Sequence, residues 1–158
     1  MYPEITKDEL IKEAYIVKNF IITKGLDTKQ LIEIAISLKE NKEGIVEIYW
    51  LNGSDTNNYP SFASIRMNPR FVILEGDIRA ETDGLIFPQS EPIILIIANF
   101  NELKKEDQDK YVGAICKKEE EDYYPHIYLH EESIVILGVG ATDEEPKISY
   151  KLDVRRMI

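Results

Sequence analysis

The 158 residues predict an α/β fold: a three-layer, mostly parallel sheet flanked by helices, with a helical pair at the N-terminus. Three observations carry this. Pro92–Ala98 and Ser133–Val139 are apolar without alternation, as strands covered on both faces are. A helix-length segment separates them. The first 42 residues show apolar residues at helical spacing. One domain is expected, with 1–42 as a helical hairpin and 43–158 as the sheet-containing core.

The elements follow in order. Thr6 and Glu9 fit a capping box, and Leu10, Ile11, Ala14, Tyr15, Val17, Ile21 and Ile22 continue the helical spacing up to Gly25, a natural stop. Asp27 with Gln30 opens a second helix to about Asn41, with Leu31, Ile34, Ala35 and Leu38 on one face. Ile45–Leu51 is rich in β-branched and aromatic residues and reads as a strand. Asn52–Asn58 is turn chemistry, and Ala63–Met67 is ambiguous. Phe71–Leu74 is a short strand, and the polar stretch 77–90 holds a short helix or a small hairpin. Leu103–Cys116 is a helix with Asn101 as its candidate cap. Ile127 and Leu129 suit a short edge strand.

Composition excludes several function classes. Nineteen basic against 29 acidic residues leave a net charge of −10, which repels phosphate backbones, so no nucleic-acid partner is expected. A single cysteine, Cys116, rules out an intramolecular disulfide and a four-cysteine zinc site. No apolar run approaches the ~18 residues of a membrane span, and no leader pattern opens the chain, so a cytoplasmic protein is expected.

The stretch from Pro92 through Ala98, Asn99, Phe100, Asn101, Glu102 and Leu103 into Lys104–Asp109 resembles the second acidic motif of AAA+ ATPases, where a buried strand leads through a short turn to a helix. Ser133–Thr142 resembles that family's next strand, which ends in a polar sensor residue. Leu152–Ile158 is similar to the arginine-bearing segment before its last core strand. The resemblance covers about 90–158; the stretch 45–77 can be laid on the first two strands by shape. It implies five parallel strands ordered 5-1-4-3-2. The departures concern the hydrolytic parts. No G-x-x-x-x-G-K-[ST] loop exists, and Asn52–Asn58, in its place, has one glycine and no lysine. Ala98 and Asn99 replace the strand-end acids, and neither can hold magnesium or polarise water. The helical lid is missing as well. The resemblance therefore implies a core stripped of hydrolysis, with no cofactor.

In parallel sheets ligands bind beyond the carboxyl ends of the strands. This selects Asn52 and Asp55, Asp77, Asn99, Asn101 and Glu102, and Thr142 within Ala141–Asp143 as candidate ligand or partner contacts. The plainer roles are turn closure for Asn99 and helix capping for Asn101. Tyr123 and Tyr124, beside the acidic run Glu119–Asp122, suit a protein interface better than a nucleic-acid one. Arg155 and Arg156 are candidate fingers into a neighbouring subunit, as in AAA+ rings, or plain surface charge. Glu75 and Asp77 could share a cation, though solvated loop acids are commoner.

The sequence thus favours a non-catalytic interaction or assembly module with a protein partner, a second copy of the chain included. The alternative is a small acidic inhibitor or immunity-type protein that masks a basic surface of its partner, with steering that weakens in salt. Last comes a small enzyme using Cys116 or a His126/His130 site. Pro125 and the alternation around Ile127 argue for an extended chain there, which would hold the two imidazoles about 13 Å apart, too far for one metal. Cys116 continues an apolar helical pattern, as a packed thiol does.

Overall fold

The computed structural model describes residues 2–12, 19–54, 70–81, 91–116, 129–130, 132–148 and 153–158. Among these residues eight strands form one sheet: β1 (Glu4–Ile5), β2 (Asn19–Lys24), β3 (Glu47–Asn52), β4 (Arg70–Leu74), β5 (Asp77–Glu81), β6 (Ile93–Ala98), β7 (Ile134–Val139) and β8 (Asp153–Met157). Their order is β1-β8-β2-β7-β6-β3-β4-β5. All pairs from β1 to β3 are parallel, and β4 and β5 close the far side as an antiparallel hairpin. The helices are α1 (Lys7–Lys12), α2 (Thr28–Asn41) and α3 (Lys105–Cys116), with a 3-10 turn over Phe100–Glu102. Among the described residues no helix is long and apolar enough to cross a membrane.

The two non-alternating runs lie side by side. β6 and β7 pair in parallel, Ile94 opposite Ile134 and Ile96 opposite Ile136, and every residue of both strands is buried. Successive side chains serve opposite faces, so each strand feeds two cores. Ile94, Ile96, Ile134 and Ile136 meet Leu31, Ile34, Ala35 and Leu38 of α2 and Leu10 of α1. Leu95, Ile97, Val135 and Leu137 meet Phe100, Leu103, Val112 and Ile148 on the other face. Helix, sheet and a second helix-bearing layer give the expected α/β architecture.

The N-terminal reading needs correction. Of the stretch expected as one helix from Thr6 to Gly25, the described residues form α1 and then strand β2 (Asn19–Lys24), which is inserted between β7 and β8. The helices α1 and α2 do pack against each other, but a buried strand rather than a Gly-Leu-Asp joint separates them. Phe20, Ile21 and Ile22 satisfy both periodicities, since a fully covered strand has no polar alternation to betray it. The stretch 77–90 begins as a hairpin strand, because Glu75 and Gly76 both have positive φ (55° and 85°) and reverse the chain tightly. Ala63–Met67 and Ile127 lie outside the described residues, and Leu129 is not in a strand.

At the amino ends of the strands, Ser133 Oγ accepts the Ile93 amide (2.9 Å). Lys42, only 6% exposed, ends α2 and donates from Nζ to the Glu132 carbonyl (3.0 Å). Burial pushes the Lys42 ammonium below the ordinary lysine range, partly offset by Glu132. The native chain therefore releases this proton more readily than the unfolded chain. Where the unfolded state binds the extra proton, stability rises with pH, up to about pH 10.4, where free lysine loses its charge. Lys42→Met should flatten that rise, as read from urea unfolding in steps between neutral pH and that limit.

Candidate functional site

The chain leaves β2 over one face of the sheet through α2, and leaves β7 over the other face through the segment carrying Ile148. The switch point therefore lies between the carboxyl ends of β2 and β7, where open parallel sheets usually bind ligands. Here the chain fills that crevice itself. The Gly25 amide donates to the Val139 carbonyl (2.9 Å). Ala141 sits over Gly25 so closely that a Cβ there would come within 3.1 Å of the Ala141 Cβ.

The helix start after β2 already carries an anion of its own. The N-terminus of α2 presents free amides and a partial positive charge, which suit a phosphate. Asp27 already supplies the anion: its Oδ1 accepts the Gln30 amide (2.8 Å), while Gln30 Oε1 accepts the Asp27 amide (3.0 Å). A phosphate entering here would meet the Asp27 carboxylate at the helix start, with the exposed Lys24 and Lys29 to either side of it in sequence. Asp27→Ala should cost about 1 kcal/mol, visible as a Tm loss of a few degrees, because it leaves the Gln30 amide without its side-chain acceptor and breaks the reciprocal capping box.

Next to the crevice, the ends of β3 and β6 are tied together by amides. Asn99 follows β6 in the left-handed conformation (φ 51°, ψ 43°). Its Nδ2 donates to Asn52 Oδ1 (2.9 Å) and to Ser54 Oγ (3.2 Å). Asn52 Oδ1 also accepts the Ser54 amide (3.0 Å) and hydroxyl (2.8 Å). The Gly53 amide donates to the Ala98 carbonyl (2.7 Å). Asn99 and Ser54 are exposed, so the cluster presents a neutral polar surface. Among the described residues this hydrogen-bonded cluster contains amides and a hydroxyl and no carboxylate.

Asn101 does not cap α3. Its Nδ2 donates to the Glu144 carbonyl (2.7 Å) and joins the turn after β6 to the segment after β7. Glu102, Thr142, Asp143 and Glu144 are exposed on the same rim. Asp77 is not at this end of the sheet. Because β4 runs antiparallel, the turn before Asp77 lies at the amino ends of the parallel strands.

The terminal arginine segment is itself a strand, β8, paired in parallel with β2. Arg156 pairs with Glu145 (2.9 Å) and with Glu4. Both hydrogen bonds, that of Glu145 first, raise its pKa further above the ordinary arginine value. This clamp joins β1, β8 and the segment after β7, so Arg156 is engaged within its own chain. Arg155, on the opposite face of β8, is half-buried. Asp55, Tyr123, Tyr124, His126 and Glu119–Asp122 lie outside the described residues. His130 Nδ1 accepts the Glu132 amide (3.1 Å), and no cluster of three metal-ligating side chains exists among the described residues.

Sequence reasoning selected Asn52 and Asn99 and the stretches that hold Ser54 and Ala141, but it did not read the part those two play, and it gave Asp27 no place at the site. Asp27 had a signal: a β-branched run, a glycine and a capping box in succession is a strand–turn–helix pattern, read instead as a helix end followed by a helix start. No family model, curated protein or solved structure matches this chain.

Proposed function

We propose that this chain is an AAA+-like core without nucleotide hydrolysis that works as a protein-interaction or assembly module. The observation that supports it most is the order of the long parallel strands. Numbered along the chain from β2, the series β8-β2-β7-β6-β3 reads 5-1-4-3-2. The two-residue β1 lies outside this set, beyond β8. In this alignment β2 takes the place of the first core strand, so the counterpart of the phosphate loop is Gly25–Asp27 and not Asn52–Asn58. That counterpart is short, carries an acid, and is filled from within.

The amide and acidic rim at the strand ends, with Asn52, Asn99, Asn101, Glu102 and Thr142, is the surface this reading assigns to a protein partner. Its exposed Glu102, Asp143 and Glu144 also favour a basic partner, the chemistry of the inhibitor alternative. A cytoplasmic setting, where a lone thiol stays reduced, fits both.

Thermal unfolding with ATP and magnesium tests the silent core. A ligand present at 100 times its Kd adds about 2.7 kcal/mol, roughly 5–10 °C for a domain of this size. The expected result is no shift with ATP, ADP or magnesium. A rise of that order rejects a site filled from within, and phosphate release from ATP would reject the silent core.

A further inference from the structure

The strand β5 is the outer strand of the sheet on its side among the described residues, and its free edge can be read residue by residue. The turn Glu75–Gly76 makes Leu74 and Asp77 the closing pair of the hairpin, with Val72 opposite Arg79 two residues on. In a two-residue hairpin those are the hydrogen-bonded pairs. Asp77 and Arg79 therefore spend their backbone groups on β4, and Ile78 turns its N–H and C=O outward. Two of the three large apolar side chains exposed on the described surface, Leu74 (44%) and Ile78 (37%), belong to this hairpin. Ile78 lies on the same face as Ile73, which lines a cavity of 510 Å³ together with Ile36, Ile48, Lys39, Glu40 and Glu75.

We infer that two copies of the chain join through β5, antiparallel, about a two-fold axis at Ile78. In that register the outward N–H and C=O of Ile78 bond their equivalents in the second copy, and the two Ile78 side chains meet. Asp77 of each copy falls opposite Arg79 of the other, twice, in the pair type where side chains approach closest. The ladder ends there, because each chain turns away at Glu75–Gly76. A dyad at Arg79 would set Arg79 against itself and Asp77 against Glu81, so like charges oppose that register. Among the described residues Arg79 makes a long contact with Glu75 (3.9 Å), both side chains mostly exposed, so it is available for the exchange. The occupant is thus set by the self-complementary charge pattern.

Sedimentation equilibrium of the full chain tests it through a charge swap. The wild type should show a concentration-dependent dimer. Arg79→Asp alone and Asp77→Arg alone should each raise the dimer Kd at least about tenfold. The double variant Asp77→Arg/Arg79→Asp should return it to within about threefold of wild type. All four proteins should share one Tm when dilute, since both side chains lie on the surface. A wild type monomeric at about 1 mM, single variants that dimerise unchanged, or a folded double variant that stays weak would each overturn the inference.

Discussion

Ile96→Ala should lower the unfolding free energy by about 3–4 kcal/mol and the Tm by roughly 10 °C. Ile96 is fully buried in β6, the strand with β7 and β3 on its two sides, and it faces the helical layer formed by α1 and α2. Truncation removes three carbons from water-free packing and leaves a void bounded by backbone-anchored neighbours such as Ile136, which cannot slide along a paired strand to fill it. Leu74→Ala is the matched control. Leu74 is large and apolar too but 44% exposed, so its loss should stay within about 0.5 kcal/mol. Urea denaturation of the two variants with unchanged m-values would separate burial from general disturbance. Equal losses would mean that β6 is not central to the sheet.

Gly53→Ala should cost about 1–3 kcal/mol although a single methyl group is added. A Cβ on Gly53 would lie 2.4 Å from the Asn99 carbonyl oxygen and 3.0 Å from Leu103 Cγ. The first neighbour is backbone and cannot rotate away. The ends of β3 and β6 must part, which strains the 2.7 Å bond from Gly53 to Ala98 and draws Asn52 from Asn99. Amide exchange at Gly53 should therefore accelerate more than exchange in the middle of β3. A stability change under 0.5 kcal/mol would show that the two loops are not held at this distance.

The contrast between β6 and β2 explains what the sequence disclosed. Pro92–Ala98 has no polar side chain, and its flanking polar residues limit it to strand length, so its buried place could be read directly. Asn19–Lys24 follows an amphipathic helix whose spacing runs on through Ile21 and Ile22. Only its pairing with Ile134–Val139, more than a hundred residues away, decides for the strand. The direction of β4 was equally non-local, and that misplaced Asp77. At the site, the rule that ligands gather beyond strand ends brought out Asn52 and Asn99, 47 positions apart and hydrogen-bonded. It could not disclose that Ala141 covers Gly25, since that contact joins two loops across the sheet. Arg156 was legible as a charge, but its partners Glu4 and Glu145 come from a distant strand and a loop.

The reading of a silent core rests on β2 standing between β7 and β8. Backbone NMR of the labelled chain measures this directly through cross-strand amide and Hα contacts. The account predicts contacts placing Ile21 beside both Ile136 and Arg155, in parallel register. Sequential helical contacts through Asn19–Lys24, or a direct ladder between β7 and β8, would contradict it.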